Sequence, residues 1–174
     1  MAKFDQDRMR TASLEAIERP TLFFIRQTVW ELEVNLIMKK VPVIITRGGF
    51  NNLLQACEWI SLAAGSGIEV SEYFRDEAAG RMSQTKIKKL TMSSEYRGRE
   101  TAVRDLLQRE NKADLPKLLQ NAKESGNLKL SVCKDSLRFL NLKPEDLIPE
   151  IDEFQTAKAF EKEAVLSADQ VLTF

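Results

Sequence analysis

A short apolar run, a turn, a helix and a second apolar run follow one another early in the chain. VPVIIT, which begins at Val41, is almost wholly apolar, as expected of a strand that is buried on both faces of a parallel sheet. RGG follows as a turn, and we expect Asn51 or Asn52 to cap a helix that runs to about Ala64. The segment GSG at residues 65–67 then ends the helix, and the next predicted strand covers residues 68–74. The segment therefore predicts a βαβ unit with a right-handed crossover.

The rest of the chain repeats this alternation of helix and strand. The spacing of apolar residues and the turn residues between them predict a helix capped by Asp114, a strand over LKLSVC, three further helices and a terminal strand over VLTF. The three helices are expected at 136–140, from Pro144 through Phe154, and at about 156–167. This order predicts an α/β fold, a doubly wound and mostly parallel sheet with helices on both faces.

The length of 174 residues suits one domain with a short appendage. We expect an N-terminal helical extension over residues 1–40 and an α/β domain over 41–174. Pro20 ends a first helix predicted for 5–18. Residues 21–38 fit both a helix and a half-buried strand. A helix is favoured by the length of the segment, and its apolar stripe either packs on its own domain or forms a seam between subunits.

Charge and composition exclude several classes of protein. The formal net charge is zero, so the chain lacks the basic field of a nucleic-acid binder, and net charge does not steer it to a membrane. No run of about 18 apolar residues is free of charges, and the N-terminus lacks the apolar region of a secretory signal. We therefore expect a cytoplasmic protein with no nucleic-acid or membrane partner. In residues 75–112 basic side chains outnumber acidic ones, which indicates either a solvated face or a docking surface for an acidic partner.

The chain contains no histidine. This absence excludes imidazole acid–base catalysis, the Ser-His-Asp triad and most zinc sites. The acidic residues are spaced like surface charges and form no evident acid–base pair. We expect neither a metal nor an organic cofactor.

Three predicted strands leave chemically useful residues at their carboxyl ends, where binding sites form in sheets of this kind. If these strands are parallel and adjacent, a thiol would lie at an open rim beside cationic side chains and the amides at the start of a helix. Both features stabilise a thiolate. The residues are, in chain order, Arg47, Gly48, Gly49, Arg75, Cys133 and Lys134.

Each of these features also has a purely structural interpretation. Cys133 could be a small buried residue that ends a strand. Gly48 and Gly49 could be plain turn residues rather than an anion cradle, since RGG matches no established phosphate motif. Cys57 falls in the middle of a helix among apolar neighbours, which indicates core packing, and it could act as a resolving thiol only if the helix were exposed there.

One segment, LPKLLQNAKESGNLKLSVCKDSLRFLNLKPEDLIPEIDEF, resembles the DsrE/DsrF-like family of sulfur-relay proteins. The shared features are a helix, a glycine, a strand that ends in cysteine, a short helix and an acidic segment before Leu and Ile. The closing segment TAKAFEKEAVLSADQVLTF is similar to the last helix and strand of that family. The resemblance covers roughly residues 41–174, and the segment around Cys133 is its most specific part.

The resemblance implies a flavodoxin-like three-layer sandwich and a cysteine, here Cys133, that carries sulfane sulfur as a persulfide. It also implies homo-oligomers, often trimers or hexamers, or hetero-oligomers with related subunits. The expected function is a sulfur carrier or sulfurtransferase that passes sulfur to another carrier protein, with Arg47, Arg75 or Lys134 holding the persulfide or an anionic donor such as thiosulfate. The alternatives are a non-catalytic assembly or adaptor subunit and a peroxide-reducing thiol protein.

Overall fold

A computed structural model describes residues 38–174 of the chain. The helix predicted for residues 5–18 lies outside the described residues. So do the extension predicted for 1–40, except for its last three residues, and the segment 21–38, except for Met38.

Five strands and six helices are present in the described part of the chain. Single turns of 3₁₀ helix occur at Ser94–Tyr96 and Pro144–Asp146. The elements are, in chain order, β1 (Lys40–Ile45), α1 (Phe50–Gly65), β2 (Glu69–Phe74), α2 (Asp76–Arg81), α3 (Glu100–Arg109), α4 (Leu115–Ser125), β3 (Leu128–Cys133), α5 (Lys134–Phe139), β4 (Glu153–Gln155), α6 (Ala157–Phe160, continued as π helix over Glu161–Val165) and β5 (Leu172–Thr173).

The five strands form one sheet in the order β4-β3-β2-β1-β5, and every pairing between them is parallel. The chain adds β2, β3 and β4 one after another on the same side of β1. It then returns to place β5 on the other side of β1. The predicted α/β fold with a parallel sheet is confirmed.

Helices cover both faces of this sheet. Alternate residues of the central strands, such as Val43, Val70 and Leu130, are fully buried, and α1 and α4 pack on each other and on β2 and β3. On the other face, Phe160 of α6 packs against Tyr73 of β2. The result is the three-layer, flavodoxin-like arrangement that the family resemblance implied.

Several local predictions are confirmed. The Asp114 side chain caps α4 by accepting a hydrogen bond from the Lys117 amide at 3.3 Å. The strands predicted over residues 68–74, LKLSVC and VLTF form β2, β3 and β5.

Two local predictions are wrong. Asn51 and Asn52 lie inside the first turn of α1, and Gly49 is the N-cap. The helix begins earlier than its polar residues indicate, because the Phe50 side chain is buried and its amide donates to the Thr91 carbonyl at 3.0 Å.

The second error is the helix expected from Pro144 through Phe154. This segment forms one 3₁₀ turn and then β4, which pairs with β3. Asp152 secures the pairing, because its amide donates to the Leu130 carbonyl at 2.9 Å and its carboxylate accepts from the Leu130 amide at 2.8 Å. Pro149 also lacks the amide that a continuous helix requires.

Candidate functional site

The carboxyl ends of β1, β2 and β3 lie side by side. Ile45 is in register with Phe74, and Phe74 is in register with Val132. The residues that follow these three strands therefore leave from the same edge of the sheet, as the sequence predicted.

Cys133 is the last residue of β3 and the N-cap of α5. Its side chain packs in a cluster with Tyr73 and Phe160, whose rings are stacked with centroids 4.5 Å apart and an angle of 11° between their planes. Cys133 is only 5% exposed. The thiol is therefore buried under aromatic side chains, which differs from the open rim that the sequence indicated.

The first polar neighbour of this thiol is Ser136, in the first turn of α5. Its Oγ accepts a hydrogen bond from the Asp76 amide at 2.8 Å, so the hydroxyl hydrogen is available to donate to the Cys133 sulfur. Asp76 adopts the left-handed conformation, with φ of 53°, which is uncommon for a residue other than glycine. The turn after β2 is thus shaped to present its amide to Ser136.

The second polar neighbour is the Tyr73 hydroxyl. Its oxygen lies 3.3 Å from the Gln155 carbonyl oxygen, and its single hydrogen is shared between this carbonyl and the Cys133 sulfur. Burial, followed by the interaction with Cys133, raises the pKa of Tyr73. The phenol therefore stays protonated and remains a hydrogen-bond donor.

These contacts decide the ionisation of Cys133. Burial raises the pKa of the thiol, but the Ser136 and Tyr73 hydroxyls and the amides of Ser136 and Asp135 outweigh burial, so the pKa is lowered. A lowered pKa increases the fraction of thiolate, which is the nucleophilic form of cysteine.

The predicted cations do not supply the hydrogen bonds that lower this pKa. Arg75 Nε pairs with Asp76 Oδ2 at 2.9 Å, and Lys134 is exposed at the start of α5. Arg75 follows β2, which pairs with β3, and Lys134 follows Cys133 directly in the chain. The donors that act on Cys133 are hydroxyls and backbone amides.

Arg47, Gly48 and Gly49 lie together but do not surround Cys133. They line a cavity of about 480 Å³ beside the start of α1, and Cys133 is not among its lining residues. The Gly48 amide donates to the Glu77 carboxylate at 3.3 Å. A Cβ atom at Gly48 would overlap the Glu77 carbonyl, so this position requires glycine.

Cys57 is buried in α1, as expected for core packing. Burial is the main cause that raises the pKa of its thiol. The two thiols therefore differ, since the pKa of Cys57 is raised and that of Cys133 is lowered. Among residues 38–174, no group of three or more His, Cys, Asp and Glu side chains could hold a metal ion.

Sequence reasoning missed Tyr73, Ser136 and Gln155. Ser136 carries a usable signal, because it lies three residues after Cys133 and both fall in the first turn of one helix. Tyr73 and Gln155 approach Cys133 only through the register of neighbouring strands, in which Gln155 pairs directly with Cys133.

The fold and the site together define a protein with a parallel α/β sheet and a hydrogen-bonded thiol at the end of its third strand. A model of the DsrE/DsrF/DrsH-like family matches residues 62–172. The chain belongs to this family.

Other comparisons add little to this assignment. The structure is similar to a protein of unknown function, MTH1491 from Methanobacterium thermoautotrophicum. The TM-score is 0.49 and the sequence identity 10%, over 78% of this chain and 99% of that chain. No curated protein matches the chain. Within residues 38–174, no helix has the length and apolar character needed to cross a membrane.

Proposed function

We propose that this protein is a cytoplasmic sulfur carrier that binds sulfane sulfur as a persulfide on Cys133 and passes it to another carrier protein. The observation that carries the proposal is the set of hydroxyl and amide donors around the thiol, which lower its pKa despite burial. Membership of the DsrE/DsrF/DrsH-like family supports it, because the matched residues include Cys133.

Loading of the carrier is a nucleophilic displacement on sulfur. The Cys133 thiolate attacks the outer sulfur of a donor such as thiosulfate, a sulfur–sulfur bond forms, and sulfite leaves with the electron pair of the broken bond. The product is an anionic persulfide. In the second step the thiolate of an acceptor protein attacks the outer sulfur, and Cys133 leaves as a thiolate.

The same hydrogen bonds serve both steps. Ser136 and Tyr73 stabilise negative charge on the Cys133 sulfur, both in the nucleophile and in the leaving group. We propose that Arg75 and Lys134, the cations that follow β2 and β3, hold the outer anionic sulfur of the persulfide. The Tyr73 and Phe160 side chains pack against Cys133, which is 5% exposed, and limit the access of water to its sulfur.

Transfer to a partner requires a surface near the thiol. Phe139, the last residue of α5, is a large apolar side chain that is 76% exposed. We propose that it contacts other sulfur-carrier proteins, or further copies of this chain or related subunits in a trimer or hexamer.

The test is the mass of the intact protein after incubation with thiosulfate or polysulfide. We expect a gain of about 32 Da, one sulfur atom, that reducing agent removes. The gain should disappear in Cys133→Ser and persist in Cys57→Ala, the control for the other thiol. A folded protein that gains no sulfur from any donor would contradict the carrier function and favour an adaptor subunit.

A further inference from the structure

A second site is indicated by Arg81, which lines the 480 Å³ cavity and is only 6% exposed. Its Nη1 donates to Thr91 Oγ1 at 2.9 Å. Its Nε and Nη2 are buried and have no hydrogen-bond partner. Burial lowers the pKa of this guanidinium. A buried and uncompensated charge of this kind is costly for folding.

The unpaired atoms of Arg81 have a specific geometry. Nε–H and one N–H of Nη2 lie on the same edge of the planar guanidinium and point in the same direction. This edge is the fork that binds two oxygens of a carboxylate or phosphate. No carboxylate of the described residues forms a salt bridge with Arg81, so none of them neutralises its charge.

The fork is fixed next to the positive end of a long helix. Thr91 holds the Arg81 guanidinium through its hydroxyl and accepts the Phe50 amide through its carbonyl at 3.0 Å. Phe50 begins α1, which has 16 residues and no side-chain cap at its N-terminus. The amides at such an end attract anions.

The remaining charged residues of the cavity also favour an anion. Arg47 and Lys86 line it together with Arg81, and Glu77 is the one carboxylate among its lining residues. Glu77 already accepts the Gly48 amide at 3.3 Å. The cavity volume is in the range of small-molecule sites.

We propose that this cavity binds a small molecule through a tetrahedral oxyanion group, either a phosphate or a sulfur oxyanion, held by the Arg81 fork and the amino end of α1. This site is distinct from Cys133 and does not depend on the proposed sulfur transfer. Met92 and Leu140, which also line the cavity, provide apolar contacts for the rest of the molecule.

The test is calorimetric titration of the full chain with inorganic phosphate and sulfate, in chloride buffers of matched ionic strength. Thiosulfate is titrated into the Cys133→Ser variant of the full chain, so that no reaction at the thiol contributes heat. We expect at least one of the three anions to bind, and the order of their affinities distinguishes a phosphate from a sulfur oxyanion. Arg81→Met should weaken binding about 10- to 100-fold, the usual value of a hydrogen bond to a charged group. Arg81→Lys should also weaken it, because lysine keeps the charge but loses the fork.

Arg47→Met provides a variant that leaves the core intact, because Arg47 is exposed, and we expect severalfold weaker binding. Arg104→Met, an exposed arginine of α3 outside the cavity, is the matched control and should bind as the wild type does. Cys133→Ser should retain full affinity, which separates this site from the sulfur carrier. Failure of all three anions to bind, or equal binding by the Arg81 and Arg47 variants and the wild type, would overturn the proposal.

Discussion

Two hydroxyls act on the Cys133 sulfur, and each is held by a different part of the chain. The Ser136 hydroxyl is oriented by the Asp76 amide in the turn after β2. The Tyr73 hydroxyl is oriented by the Gln155 carbonyl at the end of β4. The acidity of the thiol therefore depends on β2, β3 and β4 being in their observed register.

The contribution of Ser136 can be measured directly. In Ser136→Ala the thiolate loses a charge-assisted hydrogen bond, and we expect the pKa of Cys133 to rise by about one pH unit. The rate of alkylation by a small neutral reagent, followed from pH 6 to pH 10, reports this pKa. The measurement is made in a Cys57→Ala background, so that only one thiol reacts.

Ser61→Ala is the matched control for this experiment. The Ser61 hydroxyl donates to the Cys57 carbonyl at 2.8 Å within α1 and does not act on Cys133. The idea that Ser136 supports the thiolate would be wrong if both variants gave the same alkylation profile.

The sequence indicates where Cys133 lies in the fold, but not which groups contact its thiol. Alternation along LKLSVC and the helix that follows place Cys133 at a strand end, which is a local property. The contact with Tyr73 depends on which residues of β2 and β3 are neighbours, and this register is set by packing of the whole sheet. The charged residues at the strand ends indicated that arginine and lysine would stabilise the thiolate. In the structure, hydroxyls and backbone amides are the hydrogen-bond donors to Cys133.

At the scale of elements, α1 and β3 approach each other closely at Gly126. A Cβ atom at this position would overlap the carbonyl oxygen of Ala64, near the end of α1. The chain enters β3 two residues later. The absence of a side chain at Gly126 therefore fixes how the end of α1 sits against the start of the strand that ends in Cys133.

We expect Gly126→Ala to destabilise the protein by about 1–3 kcal/mol, the usual cost of overpacking, because backbone must shift to make room. Gly65→Ala is the matched control, since a Cβ at Gly65 would have no atom within 4 Å. The free energy of unfolding in urea measures both. Equal stability of the two variants would show that the close approach of Gly126 to Ala64 does not exclude a side chain at this position.

Elements with strong local signals were predicted well, and β4 was not. It has only three residues, and its place in the sheet depends on Asp152, whose main chain and carboxylate both bond Leu130 on β3. The two residues are far apart in sequence, so no window of local periodicity contains both. The position of a short edge strand such as β4 is determined by its contacts with the neighbouring strand, here β3.

At the scale of the whole molecule, the sheet carries one buried acid. Glu72 in β2 is fully buried, and neither of its carboxyl oxygens has a hydrogen-bond partner. Burial raises the pKa of Glu72 well above its usual value. The folded protein therefore holds Glu72 in its protonated form at pH values where the unfolded chain has released the proton.

This difference gives stability a defined dependence on pH. The contribution of a raised carboxyl pKa is fully present below the pKa of the unfolded chain and is lost as pH rises through the pKa of the folded state. Between these two values the free energy of unfolding should fall by about 1.4 kcal/mol per pH unit. The chain has no histidine, so no imidazole titrates in the same range.

Glu72→Gln removes this titration, and its stability relative to the wild type should increase steadily as pH rises from 5. Urea unfolding at a series of pH values measures the difference, in which the effects of other titrating groups cancel. Glu69→Gln, at the exposed first residue of the same strand, controls for the loss of a carboxylate from β2. A constant difference between Glu72→Gln and the wild type from pH 5 to pH 8 would mean that the carboxyl of Glu72 keeps an ordinary pKa in the folded protein. Its place at the centre of the sheet would then require a polar partner, so the packing of α1 on β2 would have to differ from the arrangement described above.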